Sequence, residues 1–299
     1  MFVRKVAGKL KRSYRAIRWR RSIRLGCKTY SIPNSFRALL EFEADHEMWL
    51  DWVYQAALEV KEGAFIDVGV NQGQTLAKML RIAPVNQYIG IEPQPGCAFF
   101  VDEFIRINGL KNCSIVPIGF SDRTGLAELN LHSLAPGDST ASVSKEHRPD
   151  SFYAGSKIIP VFRGDELFAT LSVPSISLIK IDVEGAELEV LRGLPVTLKT
   201  HRPFVVFEVL NNYLVVTREG LSDELTAHRN EKAQQISSYF DQAGYRVFNV
   251  RGKRLIPSKV ITPEVSADLS ITDYVAVPEE MVPEIESRCE IGHPSLRLT

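Results

Sequence analysis

From residue 64 onward the chain alternates two patterns. Short, mainly apolar runs at 64–68, 87–91, 113–118, 176–181, 204–209, 245–250 and 273–277 read as strands. Between them, apolar residues return every three or four positions, which predicts helices from the glycine loop at 69–73 to about residue 82, then over 95–107, 184–192 and 222–243. Asn108-Gly109, Gly193 and Gly244 stop the last three. A further helix is predicted over 45–61, where Met48, Trp49, Trp52, Val53, Ala56 and Ala57 repeat at helical spacing. Asp45 is its cap and Gly63 its stop. Residues 119–175 break the rhythm. They hold an alternating stretch (Leu126, Glu128, Leu129, Asn130, Leu131), a polar loop over 136–150 and a strand-like 157–162, and read as an insertion with hairpin character.

Continuous apolar strands separated by helices predict an α/β fold with a mostly parallel sheet covered on both faces. In such sheets ligands bind beyond the carboxyl ends of the strands, near the point where the strand order reverses. Attention therefore falls on Asp67 to Gly73, Glu92, Gly119 to Asp122, Asp182 to Glu184, and Glu208.

Composition is that of an ordinary globular protein, 44% hydrophobic and 24% charged, and no apolar run is long enough to span a membrane. The charged N-terminus lacks the apolar core of a signal peptide. The four cysteines form no C-x-x-C pair, which argues against a zinc site or a disulfide framework and suggests a reducing compartment, the cytoplasm. Net charge is zero, yet residues 1–40 carry twelve Lys or Arg and no acid, so the remaining 259 residues hold 24 basic and 36 acidic side chains, a net of −12. Val3, Val6, Leu10, Tyr14 and Ile17 lie on one helical stripe among those cations. A basic arm over 1–44 thus precedes an acidic body. It suits solvent, the acidic body itself, a protein partner or an anionic membrane surface, the last placing the protein peripherally at a membrane. The rest of the chain has no aromatic-interleaved basic patch, which argues against nucleic acid.

The first strand ends in Asp67-Val68-Gly69-Val70-Asn71-Gln72-Gly73. Gly69 and Gly73 permit a tight turn into a helix N-terminus, whose free N–H groups suit a carboxylate or phosphate. Asp67 is placed to hold the turn or meet a ligand ammonium. The second strand ends in Gly90-Ile91-Glu92-Pro93, and an acid there suits two ribose hydroxyls. The dinucleotide fingerprint fails, because Asn71 and Gln74 stand where it needs glycine. A ligand with a ribose and an amino-acid end but no phosphates fits better, which is S-adenosyl-L-methionine.

Ile66-Asp67-Val68-Gly69-x-Asn71-x-Gly73, Gly90-Ile91-Glu92-Pro93 and Leu178-Ile179-Lys180-Ile181-Asp182-Val183-Glu184-Gly185-Ala186-Glu187 resemble the FkbM family of S-adenosylmethionine-dependent methyltransferases. The resemblance runs from about residue 60 to about 210, with a family-like last strand at 272–278. It implies a Rossmann-like class I methyltransferase with a seven-stranded sheet, its last strand antiparallel, and O-methylation of a sugar, glycan or secondary-metabolite hydroxyl. Carried over, Gly69, Asn71 and Gly73 line the methionine end of the cofactor and Glu92 its ribose. Ser121 and Asp122 lie where such enzymes contact adenine, although Asp122 also suits a plain turn.

Methyl transfer to a sugar hydroxyl benefits from a general base, and Asp182 and Glu184 are the nearest carboxylates. Glu184 also reads as the start of a helix, where it would offset the dipole without a catalytic role. His132 and His147 qualify only if the insertion folds over the site. Lys180 reads as an edge or salt-bridge residue. An Asp182–Glu208 pair with Asn211 would suit Mg²⁺ through oxygen ligands, but strand-end placement alone supports it, so no metal is expected. The reading is a methyltransferase domain over 45–299 with an insertion at about 119–175. The alternatives are a cofactor-binding or scaffold protein of the same fold without turnover and, more weakly, a nucleotide-sugar or NAD-dependent enzyme.

Overall fold

The computed structural model describes residues 21–33, 47–82, 87–134, 137–171, 173–214 and 218–291. The apolar stripe over 3–17 and the Asp45 cap lie outside the described residues. In chain order the strands are β1 (Arg21–Leu25), β2 (Lys28–Ile32), β3 (Ala64–Val68), β4 (Tyr88–Ile91), β5 (Cys113–Val116), β6 (Gly119–Phe120), β7 (Gly125–Leu131), β8 (Gly155–Phe162), β9 (Ile176–Ile181), β10 (Phe204–Glu208), β11 (Tyr213–Leu214), β12 (Glu219–Gly220), β13 (Tyr245–Arg251), β14 (Arg254–Pro257), β15 (Asp273–Pro278) and β16 (Glu290–Ile291).

Nine strands form the central sheet, in the order β16-β14-β13-β15-β10-β9-β3-β4-β5. β9 and β10, β9 and β3, β3 and β4, and β4 and β5 pair in parallel, while β15 runs antiparallel to both β10 and β13. The seven expected strands are therefore there, with the antiparallel one last. The count is corrected to nine by β14 and the two-residue β16, which extend the β13 edge. Their runs are too short to stand out in the sequence; in β14 Leu255 alone is fully buried.

Every position of β3, β4, β9 and β15 is buried, which is why these strands read as near-continuous apolar runs. Period-two alternation sends Phe65, Leu178, Phe204 and Val206 to one face, under the helices Asp51–Val60, Gln74–Ile82 and Pro95–Ile107. Ile66, Ile179, Val205 and Phe207 go to the other, under Glu187–Arg192 and Asp223–Gln242. The helix expected over 45–61 appears as a 3₁₀ turn, Met48–Leu50, leading into Asp51–Val60.

Part of the basic segment belongs to this core. β1 and β2 form a hairpin that buries Leu25, Tyr30 and Ile32 in the first layer. The Asn108 side chain ties it down by accepting from the Ser31 N–H (2.7 Å) and donating to the Ser31 carbonyl (2.8 Å).

The chain steps from β3 outward to β4 and β5, then returns to lay β9 on the other side of β3. The strand order therefore reverses between β3 and β9, and a crevice opens at their carboxyl ends. The insertion covers that end. It carries a small sheet, β6-β8-β7, with its own core of Leu129, Leu131, Ile159 and Val161. Its loop is tied to the site: Gln94 Nε2 donates to the Asp138 carbonyl and Ser142 Oγ to the Val183 carbonyl (3.3 Å).

Candidate active site

The site begins where β3 meets β9. Gly69 has φ +89°, and its N–H donates to the Ile91 carbonyl at 3.0 Å. A Cβ on Gly69 would stand 1.8 Å from the Asp182 carbonyl oxygen. The close approach of two strand ends thus requires glycine before any ligand does. The Gly73 N–H donates to the Val70 carbonyl (2.9 Å) and closes the turn into Gln74–Ile82. Between them Asn71 adopts the left-handed conformation, φ +49°, which asparagine tolerates better than most residues.

That turn aims the Asn71 N–H at Glu92 Oε2, 2.7 Å away, and the Gln94 N–H donates to Oε1 at 2.7 Å. Glu92 is therefore held in one pose by two backbone donors, one per oxygen, with the remaining lone pairs available. Burial pushes its carboxyl up to about 7, although both hydrogen bonds pull the other way. It borders a cavity of about 620 Å³, counted out to open solvent, together with Gly69, Asn71, Gln94, Asp182 and Glu184. Gly119 and Phe120 from β6, and Asp138, Ser139 and Ser142 from the insertion, complete the wall.

Of the residues expected to hold a cofactor, the fold brings Gly69, Asn71 and Glu92 to this cavity; Asp67, Gly73, Ser121 and Asp122 do not border it. Asp67 shares Phe65's face and is wholly buried beneath the sheet. It accepts from the Tyr88 hydroxyl, lies in register with Lys180, and is pushed up to about 6 by burial. Ser121 and Asp122 turn into a local network: Ser121 Oγ donates to Asp122 Oδ1 (3.2 Å), and Arg163 Nη1 donates to the Asp122 carbonyl (3.2 Å). Gln94 and Asp138 were not expected here. Asp138-Ser139-Thr140 is readable as an Asx turn, and Asp138 Oδ1 does accept from the Thr140 N–H (3.1 Å) and hydroxyl (2.8 Å). Its place above the strand ends follows from the insertion's packing alone.

Three carboxylates meet at the far wall. Asp182 Oδ2 accepts from Lys180 Nζ at 2.8 Å, as their shared face dictates; β9 is an interior strand, so Lys180 is a salt-bridge residue and not an edge residue. Glu184 has φ +57° and pairs with Arg148. It does not begin a helix. Glu187 does, and accepts from the Gly185 N–H at 3.0 Å, so the dipole reading belongs to Glu187. Glu208, at the end of β10, accepts from Thr272 Oγ1 (2.8 Å). Burial, then the charges of Asp182 and Glu184, hold its carboxyl well above the usual range. One oxygen from each of Asp182, Glu184 and Glu208 lies within 4.8 Å of the others. Asn211 Nδ2 donates to the Ser266 (3.1 Å) and Asp268 (3.0 Å) carbonyls. His132 stacks on Phe152 (4.2 Å between centroids) and hydrogen-bonds its carbonyl. His147 packs on Gly185, and burial and neighbouring cations hold its ring neutral.

The sequence profile of the methyltransferase FkbM domain matches residues 67–247, which takes in the glycine turn, Glu92, the insertion and all three acids. The chain belongs to the FkbM methyltransferase family. Methyltransferase sdnD of Sordaria araneosa is 25% identical over 232 residues, 68% of this chain and 86% of that protein. 2-O-methyltransferase NoeI of Sinorhizobium fredii is 28% identical over 156 residues, 48% of this chain and 63% of that protein. The crystal structure of methyltransferase FkbM from Methylobacillus flagellatus aligns over 72% of this chain and 43% of that chain, at 14% identity and a TM-score of 0.43. Within the family's span, the wall formed by Asp138, Ser139 and Ser142 comes from the insertion, the segment in which the sequence offered no motif.

Proposed function

We propose that the protein is an S-adenosyl-L-methionine-dependent O-methyltransferase acting on a hydroxyl of a sugar, glycan or secondary metabolite. The observation that carries this reading is Glu92, a buried carboxylate fixed by two backbone N–H groups at the tip of the second strand and bordering the cavity. That is the placement that receives two ribose hydroxyls. A second feature supports the fit. Gln94 borders the same cavity, and its Oε1 is buried without a partner among the described residues, an acceptor left for a donor on a ligand. Asn71 and Gln74 stand at the second and third glycine positions of the dinucleotide fingerprint, the second being the one that lets backbone approach a pyrophosphate.

When bound, the cofactor supplies the methyl group. The chain's own residues hold and dry the site. The insertion closes over the strand ends, and exclusion of water favours an in-line displacement. Of the three acids, Asp182 is paired with Lys180 and Glu184 with Arg148, while Glu208 has no ion pair among the described residues. Glu208 is thus the acid left to take up a hydroxyl proton, and burial followed by the charges of Asp182 and Glu184 raises its proton affinity. The hydroxyl acceptor is also supported by NoeI, a relative named as a 2-O-methyltransferase.

Calorimetric titration with S-adenosyl-L-methionine and with NAD separates the cofactor readings. Methyl transfer from labelled cofactor into a cell extract separates an enzyme from a scaffold of the same fold. Binding of NAD in place of S-adenosyl-L-methionine would sink the proposal. Tight cofactor binding with no labelled product would leave a binding protein.

A further inference from the structure

A second cavity, about 620 Å³ out to open solvent, lies against the first. Arg148, Phe152, Tyr213, Glu208 and Arg229 border it, and Glu184 borders both. The three acids thus stand on the partition between the two spaces, as a reacting hydroxyl in one and a methyl donor in the other would require.

Arg229 gives the second cavity its chemistry. The side chain is 2% exposed. Nε (3.1 Å) and Nη2 (2.8 Å) donate to the His147 carbonyl, and Nη1 donates to the Asn211 carbonyl. These are dipoles, not charges, and Arg229 has no carboxylate within ion-pair distance among the described residues. Its neighbour Arg148 is already neutralised by Glu184. A buried cation is ordinarily paired, because an uncompensated charge is costly to take out of water. A guanidinium has five N–H donors, and three of these are engaged. Burial, then the nearby Arg148, pull the Arg229 pKa down to about 10, and the more distant charges of Glu184 and Glu187 offset this only in part. Phe152 and Tyr213 give the cavity aromatic lining; the Phe152 ring is already stacked by His132 and covered by the Arg148 guanidinium, which leaves Tyr213 as the ring for a sugar to pack against.

We propose that the second cavity is the acceptor site and that Arg229 selects acceptors bearing an anionic group, such as an acidic or phosphorylated sugar, with the hydroxyl to be methylated turned toward Glu184 and Glu208. The proposal rests on the methyltransferase reading and sharpens its substrate class.

The test is calorimetric titration of the full chain with D-glucuronate, D-glucose 6-phosphate and D-glucose, with and without S-adenosylhomocysteine. At least one anionic sugar should bind about tenfold or more tightly than glucose. The comparison of glucuronate with the phosphate ester tells which anion the site prefers. Arg229→Gln should abolish the preference and Arg229→Lys should keep part of it. Because Arg229 also ties residue 147 to residue 211, Leu210→Trp, which fills the cavity and leaves Arg229 in place, provides a second arm: it should lose the anionic sugars and still bind S-adenosylhomocysteine. Equal affinity for the three sugars, failure of both anionic sugars to bind, or a preference that survives both Arg229→Gln and Leu210→Trp would overturn the proposal. Failure of S-adenosylhomocysteine alone to bind would count against the methyltransferase reading instead.

Discussion

At the scale of single residues, two positions decide the site. Glu92 is fixed by backbone donors, so its loss removes charge-assisted hydrogen bonds worth about 1.5–3 kcal/mol, and Glu92→Ala should weaken S-adenosylhomocysteine binding about 10- to 150-fold. A folded variant of unchanged affinity would rule out the ribose role. Because its carboxyl titrates near 7, the ionised form that accepts from hydroxyls fills as pH rises through that value. Affinity should therefore increase from about pH 6 to about 8 in the wild type and stay flat in Glu92→Gln, read by calorimetry at each pH. Glu208→Gln removes the proposed base at nearly constant shape. Turnover should fall about 10²–10⁴-fold with little change in cofactor affinity. Asp182→Asn, which also strands Lys180, should cost less turnover and more stability; wild-type turnover in Glu208→Gln would move the base role to Asp182 or Glu184.

At the scale of elements, the N-terminal segment divides. Residues 1–20 hold eight Lys or Arg and no acid, whereas β1 and β2 bury Leu25, Tyr30 and Ile32. Each such side chain is worth about 1.5–3 kcal/mol when buried. Deleting 1–33 should lower the melting temperature by several degrees or prevent folding. We propose that residues 1–20 carry any attraction to anionic surfaces. Vesicles containing anionic lipid should bind the full chain at low salt and not the 21–299 form; equal binding by both would remove that role.

For the molecule as a whole, the notable quantity is buried acid. Asp67 is raised to about 6, Glu92, Glu187 and Asp273 to about 7, and Glu208 moves the same way, burial being the largest cause in each. An acid whose pKa is higher folded than unfolded binds more protons in the folded state across the interval between the two values. Stability is then present on the acid side and lost as pH rises through about 4 to about 7. Asp51 and Glu184 are raised as well, while His147 and His201, both lowered, work in the opposite sense below their ordinary pKa, two groups against seven. The ligand-free protein should therefore melt at a lower temperature at about pH 8 than at about pH 5.5, by scanning calorimetry. A melting temperature that rises over this interval would show these acids to be ionised in the folded protein at no cost.

The layered α/β fold and the strand ends where chemistry gathers are legible in the order of residues along the chain. A strand buried on both faces must be apolar throughout, and a parallel sheet must place its loops at one end, so both facts are written in local order. Gly69, Asn71, Glu92, Asp182 and Glu184 were found by that logic. Asp67 sat in the same motif, but the sheet's pleat turned it under the core, and β6 turned Ser121 and Asp122 aside by pairing with β8. The tertiary structure alone decided that Glu184, Glu208, Arg148 and Arg229 would share one wall. They lie on separate elements, and whether a buried charge finds a partner depends on which surfaces pack together, a property that periodicity along the chain does not carry.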